Sequence, residues 1–346
     1  MEEHLFPNER SLSQYIELCS RNSQILDRES IAECVHSGES PVFRLRLTGL
    51  DTFPDLRLVF DECRCIASLY VQFSCFDSPK KTGSAAELPA YATEILEGCM
   101  KMSQTLIRLH IPRSNVNDRV IRSLKPGILS CFQLTHLDLS KNSLTCDGLK
   151  IICELLDERY CLTLLDLSHN TLDSSSGEIL GNQLRTNQTL QHLNLSMNAL
   201  YDAGIRFILE ALQGNKSLRI LNISCCNLTR SSVPNISKTV GTNRSLTSVK
   251  VSGNRIGKDI SEASLLELLE ALKGNIVLED FDARDSDFSD SQMAELSGRI
   301  KPIFSPTSLV YKGSLPAPLL RFEAWKTQQH NASTLSRSKR SGSIHV

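Results

Sequence analysis

Two short patterns contain side chains that could carry chemistry. His136, Asp138 and Ser140 are the residue types of a hydrolase triad, and residues Gly253 to Lys258 read GNRIGK, which resembles a phosphate-binding loop. Members of a triad must come within about 2.6 to 3.2 Å of one another. Alternate residues on one strand lie roughly 6.5 to 7 Å apart at each step, so the triad is disfavoured. The loop has three residues between its glycines instead of four, and no Ser or Thr follows the Lys. The sequence therefore predicts no enzyme.

Histidines and cysteines also lack the spacing of a metal site. His110, His136 and His192 are expected on one sheet face, but on non-adjacent strands or at different heights, which disfavours a shared metal ion. The 12 cysteines contain no Cys-x-x-Cys pair. In a reducing compartment, we expect most of them to be small buried apolar residues. We predict no cofactor, no metal and no small-molecule substrate.

The elements that would position these residues come from a repeat whose period, about 28 residues, is the signature of leucine-rich repeats. The phrase Leu-x-x-Leu-x-Leu-x-x-Asn and its variants begin at a constant spacing at Leu106, Leu134, Leu162, Leu190, Leu218 and Leu246. A four-residue insertion delays the next copy to Leu278, and a degenerate copy starts at Pro306. Alternating apolar residues predict a strand, and the pattern after each turn predicts a helix. We predict an α/β solenoid, a horseshoe with parallel strands on its concave face and helices on its convex face.

Asparagines recur at two points of the repeat. Where the chain leaves the strand, they are Asn142, Asn170, Asn198 and Asn254. Their side-chain amides are predicted to satisfy backbone groups of the turn. Other asparagines, such as Asn187, Asn215 and Asn243, form Asn-x-Ser/Thr sequences at equivalent points of successive repeats, which we attribute to the repeat itself.

Composition and repeat pattern divide the chain into four segments. Residues 1–41 contain two helix-like runs and are predicted to form an N-terminal helical cap or tail. Residues 42–105 contain two degenerate repeats, and residues 106–311 contain the regular repeats with a C-terminal capping repeat. Residues 312–346 are basic and rich in Ser, Pro and Gln, a composition that favours disorder. There Trp325 belongs to a short apolar cluster that is predicted to dock on the last repeat or on a partner.

Charge and hydropathy restrict the class of partner. The formal net charge is -1, so no global field attracts nucleic acid or an anionic membrane. The N-terminus is acidic and lacks an apolar core of signal-peptide length, and no stretch approaches the 18 apolar residues of a membrane span. We expect a soluble, cytoplasmic protein whose partners are proteins.

The predicted binding site is the concave face, at positions that depart from the repeat consensus. These partner-binding candidates are Leu164, Ile220, Lys250, Asp280, Asp282 and Arg284, with Trp325 in the tail. We expect Leu164 and Ile220 to be exposed apolar anchors. Asp138 and Asp166 are close to consensus, so we expect them to be ordinary solvated residues.

The closing repeat is the most distinctive part of the array. In the stretch LLELLEALKGNIVLEDFDARDSDFSDSQMAEL, the informative residues are Asn275, Leu278, Phe281, Asp282, Arg284, Ser286 and Asp287. The array resembles the ribonuclease-inhibitor-like class of leucine-rich repeats. Its closing repeat resembles the T-complex-associated testis-expressed protein 1 family, whose member is a subunit of the nexin–dynein regulatory complex. The resemblance covers residues 106 to 304. It implies a scaffold in the axoneme of motile cilia or sperm flagella, part of the cytoskeleton, bound to other subunits of that complex.

The alternative function is that of a cytosolic leucine-rich repeat regulator, for which two classes of protein are considered. Ran GTPase-activating proteins share the horseshoe, but a strongly acidic segment follows their repeats, whereas this tail is basic. A ribonuclease-inhibitor-like or immune-receptor-like binder would need a strongly acidic or aromatic concave face, and the face predicted here is mixed in charge.

Overall fold

The computed structural model describes residues 106–157 and 160–299, the strands at 42–48 and 68–74, and Glu97 and Met100. All of these belong to the first of two compact units, residues 1–302. The predicted segments 1–41 and 312–346, the copy at Pro306 and the candidate Trp325 lie outside the described residues.

The described strands form one parallel sheet in chain order. They are β1 Val42–Thr48, β2 Ser68–Ser74, β3 Arg108–His110, β4 His136–Asp138, β5 Leu164–Asp166, β6 His192–Asn194, β7 Ile220–Asn222, β8 Ser248–Lys250 and β9 Asp280–Asp282. From β3 to β8, successive strands pair residues that stand one repeat apart, and β9 is delayed by the four inserted residues. β1 and β2 lie within the two degenerate N-terminal copies and extend the same sheet.

A helix follows each strand from β3 onward. The helices are α1 Asp118–Ser130, α2 Cys146–Cys153, α3 Ser174–Thr186, α4 Tyr201–Leu212, α5 Val233–Thr242, α6 Glu262–Gly274 and α7 Asp290–Arg299. Short 3-10 turns at Glu154–Leu156 and Arg230–Ser232 adjoin α2 and α5. Side chains cap several helices, as where Asp173 accepts from the backbone N–H of Ser176 at the start of α3. No helix among the described residues is long and apolar enough to cross a bilayer.

The core lies between the sheet and the helices. Leu137 lies on β4 and Leu139 directly follows it. Both are fully buried, as are their equivalents in neighbouring repeats. Each unit covers the apolar face of the next, which is why a single repeat of this kind is not stable alone. Helices α3 and α4 approach closely at Gly177, where an added Cβ would collide with the backbone carbonyl of Gly204.

The turn asparagines connect successive repeats, as the sequence predicts. Asn142 donates from Nδ2 to the carbonyls of Ile111 and Leu139 at 2.8 and 2.9 Å. Its Oδ1 accepts from the backbone N–H groups of Ser114 and Val116, both at 3.0 Å. One side chain thus satisfies four backbone groups in two repeats, and an apolar residue would leave them without a partner.

Two substitutions in this column retain part of the bonding. The Sγ of Cys226 lies 3.3 Å from the carbonyl of Leu195, and the Oγ of Ser286 donates to the carbonyl of Val251 at 3.0 Å. These shorter side chains supply the donor that reaches the preceding repeat.

A second column of asparagines is buried where helices return to strands. Asn215 donates from Nδ2 to the carbonyls of Leu184 and Asn187, and its Oδ1 accepts from the N–H of Leu218. Ser217 donates to the same Oδ1. The Asn-x-Ser/Thr sequences at Asn187, Asn215 and Asn243 therefore have a structural role in the repeat.

The four-residue insertion before β9 leaves this column intact. Asn275 still donates to the carbonyls of Val240 and Asn243, the equivalents of the acceptors of Asn243. The extra length lies in the loop between β8 and α6. The helical segment itself has the same length in both repeats, since Arg230–Ser232 and α5 together match the 13 residues of α6.

Candidate partner-binding face

The parallel register aligns the side chains that point away from the helices into rows. The first row contains Arg108, His136, Leu164, His192, Ile220, Ser248 and Asp280. The second row contains His110, Asp138, Asp166, Asn194, Asn222, Lys250 and Asp282. The strand residue between the two rows is buried in every strand from β3 to β9, so the rows form the open, concave face.

The N-terminal part of this face is polar but buried. His110 is 7% exposed, His136 is 8% exposed and Asp138 is 0% exposed. His110 Nδ1 lies 3.8 Å from Asp138 Oδ2 on the adjacent strand. Burial, with a smaller contribution from the charges of neighbouring Arg108, His110 and His192, lowers the pKa of His136 to about 3. The His136 imidazole is therefore neutral at neutral pH.

The prediction that Asp138 and Asp166 are solvated is wrong. Asp138 accepts from the backbone N–H of Ser140 at 2.9 Å. Asp166 accepts from the N–H and hydroxyl of Ser168 and from Asn194 Nδ2. Because bonds within the repeat array replace water, both carboxylates are buried at the ends of their strands.

The contacts of His136, Asp138 and Ser140 differ from those of a catalytic triad. His136 Nδ1 lies 2.6 Å from the hydroxyl of Thr135, and Asp138 bonds the backbone of Ser140. His110 and His136 lie on adjacent strands but at different heights. Among residues 106–157 and 160–299, no three His, Cys, Asp or Glu side chains are arranged to hold a metal ion.

The middle of the first row is a strip without charge. Leu164 pairs with His136 on one side and His192 on the other, and His192 pairs in turn with Ile220. Leu164 and Ile220 are half-buried rather than exposed as expected, and each has a first-row side chain of the adjacent strand on either side. Burial also lowers the pKa of His192. We name His136, Leu164, His192 and Ile220 the neutral strip.

The C-terminal part of the face is charged and more exposed. Asp282 accepts two bonds from Arg284, from Nε and Nη2, both at 2.8 Å. The Asp282 side chain is 11% exposed, whereas that of Arg284 is 77% exposed. Burial raises the pKa of Asp282, but the hydrogen bonds and charge of Arg284, with the charge of Lys250, lower it on balance. Asp282 therefore stays ionised.

Lys250 and Asp280 lie beside the pair of Asp282 and Arg284, and we name these four residues the charged corner. Lys250 lies opposite Asp282 in the register of β8 and β9. Asp280 accepts from the hydroxyl of Ser248 at 2.7 Å. The structure thus brings together four of the candidate residues, Lys250, Asp280, Asp282 and Arg284, and places Leu164 and Ile220 in the neutral strip.

Sequence reasoning missed the role of the histidines in this face. It placed His136 and His192 on this face but weighed them for catalysis or metal binding, and not as neighbours of Leu164. His136 and His192 each lie 28 residues from Leu164 in the sequence. The repeat period alone therefore predicts that both histidines pair with Leu164 in the first row.

Comparison with known proteins identifies the repeat. A leucine-rich repeat family model matches residues 130–153, 186–209 and 242–261, and a second leucine-rich repeat model matches residues 217–239. No curated protein sequence matches the chain.

Three solved structures are similar to the chain at low identity. Actin-binding site 2 of leiomodin-1 is 13% identical over 54% of this chain and 96% of that chain, with a TM-score of 0.37. The C-terminal domain of Caenorhabditis elegans tropomodulin is 15% identical over 45% of this chain and 90% of that chain, with a TM-score of 0.37. TLR13, from its complex with ssRNA13, is 16% identical over 73% of this chain and 31% of that chain, with a TM-score of 0.39.

The repeat matches agree with the unit of one strand and one helix found along the sheet. The chain carries leucine-rich repeats, and its fold is an α/β leucine-rich repeat solenoid.

Proposed function

We propose that this protein is a non-catalytic scaffold that binds a protein partner through its concave face. The observation that carries the proposal is the neutral strip beside the charged corner. Protein interfaces combine a core depleted in charge with a polar rim. Leu164 and Ile220 supply the apolar centre, and Lys250, Asp282 and Arg284 supply charges at its edge.

The spacing of the strip favours a helical partner. Leu164 and Ile220 are two strands apart, which corresponds to roughly 10 Å. Residues seven apart on an α-helix are separated by about 10.5 Å along its axis. A partner helix lying across the strands can therefore place two apolar side chains on Leu164 and Ile220, with His192 between them.

Within this class, we propose that the protein is a subunit of the nexin–dynein regulatory complex in the axoneme of cilia or flagella. The support is the likeness of the closing repeat. Phe281 of that repeat is buried in β9, and Asn275 bonds back to the preceding repeat. Asp282 and Arg284, which the resemblance also includes, form the ion pair of the charged corner. The partners would be other subunits of that complex.

The test uses the full-length chain in ciliated cells that lack it. We expect the protein to stay with salt-washed axonemes, and its deletion to remove subunits of the regulatory complex from them. Recovery wholly in the soluble cytosol, with the complex unchanged after deletion, would contradict the axonemal role. That result would favour the alternative of a cytosolic regulator.

The concave face is tested separately in the same cells. Leu164→Glu places a charge in the neutral strip and is expected to release the protein from the axoneme. Leu266→Glu is the matched control, because Leu266 is 51% exposed on the outer helix α6. Retention of the Leu164→Glu protein at the level of the control would show that the concave face is not the binding surface.

A further inference from the structure

A groove opens on the rim of the solenoid where helices return to strands. The end of α3, the loop before β6 and the loop before β7 form its walls. Three cations line it, Arg185, Lys216 and Arg219, and none of the described lining residues is acidic. The concave face described above does not include these residues.

The three cations are accessible to a ligand. Lys216 and Arg219 are exposed, and the side chain of Arg185 is 51% exposed. Arg219 donates from Nη1 to the carbonyl of Ser245 at 3.1 Å, which holds its guanidinium in place while other N–H groups of the fork stay available. Glu210 lies 3.9 Å from Arg185, and is also 3.5 Å from Arg206, so it offsets only one side of the groove.

The positive charge continues into the next repeat. Arg244 stands one repeat after Lys216, at the equivalent position, and is also exposed. Two successive repeats along this rim thus present a basic side chain at the equivalent position, Lys216 and Arg244. An extended ligand that runs from the groove along the rim would meet Arg244 as a fourth cation.

The uncharged lining suits a polypeptide backbone. Gln188 and Gln191 line the groove with exposed side-chain amides, which can both donate and accept hydrogen bonds. Gly214 adds no side chain to the wall, and a Cβ there would meet nothing within 4 Å, so the groove is open at this point. The described lining contains no aromatic residue on which a nucleic-acid base could stack.

We propose that this basic groove binds an acidic peptide segment of a partner protein. The groove supplies local charge complementarity, while the net charge of -1 gives the chain no field for long polyanions. Binding here is independent of the concave face. The protein would therefore hold two partners, or two parts of one partner, at separate surfaces.

The test is the fluorescence anisotropy of a fluorescein-labelled octaglutamate peptide titrated with the full chain at low salt. We expect saturable binding that weakens as salt is added, because added salt shortens the range of exposed charge interactions. Lys216→Glu should weaken binding several-fold, and Lys216→Glu with Arg219→Glu by about tenfold or more. Lys258→Glu makes the same charge change at an exposed turn outside the groove and should bind like the wild type.

Three results would overturn the proposal. The first is the absence of saturable binding, and the second is equal affinity of the Lys216→Glu variant and the wild type. The third is stronger competition by a uridine oligonucleotide, or by phosphatidylserine vesicles, than by unlabelled octaglutamate.

Within the described part of the chain, Lys216 makes no bond comparable to that of Arg219. The single Lys216→Glu variant, checked by thermal unfolding, therefore separates a loss of binding from a loss of folding. Leu164→Glu leaves the groove unchanged. The axoneme experiment with that variant and the peptide-binding experiment can therefore fail independently of each other.

Discussion

The two ends of the concave face share one strand register, but their polar side chains differ in exposure to solvent. On β3 and β4, His110, His136 and Asp138 are buried. At β8 and β9, Lys250 is half-buried and Arg284 is 77% exposed. A polar group already bonded inside the array contributes to its stability, whereas an exposed one is available to a partner. The N-terminal end is therefore expected to govern folding and the C-terminal end recognition.

The largest expected effect is a charge reversal at the two matched second-row positions. Asp138→Lys buries a cation beside His110 and should lower the free energy of unfolding by roughly 3 to 5 kcal/mol. Asp282→Lys should lower it by only about 1 kcal/mol, because its partner Arg284 is largely exposed. Urea denaturation of both variants measures this. Equal losses would remove the distinction between the two ends.

The next effect compares the two ends of the asparagine column. Asn142→Leu deprives four backbone groups of their partner and should cost about 3 kcal/mol. Ser286→Ala removes the donor to Val251 and should cost about 1 kcal/mol. Circular dichroism during urea unfolding gives both values. A greater loss for Ser286→Ala would reverse the assignment of stability to the N-terminal end.

A smaller effect depends on pH. The pKa of His136 is about 3 in the folded state, against an ordinary value of 6.5. Between these values the unfolded chain binds the extra proton, so stability falls as pH decreases from about 6.5 towards 3. This one group contributes a slope of at most about 1.4 kcal/mol per pH unit.

His136→Gln should reduce that slope, measured by thermal unfolding between pH 7 and pH 5. His169→Gln changes an exposed histidine outside the two rows and serves as the control. If both variants keep the wild-type slope, burial of the His136 imidazole is not what makes the N-terminal end sensitive to acid.

The smallest effect on stability is expected at Arg284. Arg284→Ala should change the free energy of unfolding by about 0.5 kcal/mol or less, because an exposed ion pair contributes little. The same variant should measurably weaken retention on axonemes. A variant that unfolds more easily but is retained normally would show that the charged corner is structural.

The repeat period predicted most of the fold, because the spacing of Leu137, Leu139 and Asn142 reflects stacking alone. It also placed Lys250, Asp280, Asp282 and Arg284 in one corner, since register follows from the period. It did not predict the burial of Asp138, because His110, which lies beside it, belongs to the preceding copy of the phrase. Leu164 likewise lies beside His136 and His192, which belong to adjacent copies.

The basic groove was harder to see in the sequence. Arg185 ends a helix, whereas Lys216 and Arg219 belong to the loop of the next repeat. Only the column of Lys216 and Arg244, which stand one repeat apart, is visible without a structure. Residues on the rim differ from one repeat of this chain to the next, because the stacking of the repeats does not constrain them.

The insertion before β9 has a consequence for how such a protein can diversify. Four extra residues lengthen the loop between β8 and α6, yet Asn275 keeps its acceptors and β9 keeps its pairing with β8. Outer segments can therefore gain or lose residues while the inner surface retains its alignment. Evolution, or an engineer inserting a reporter sequence beside α6, can alter one side of the molecule as a separate module.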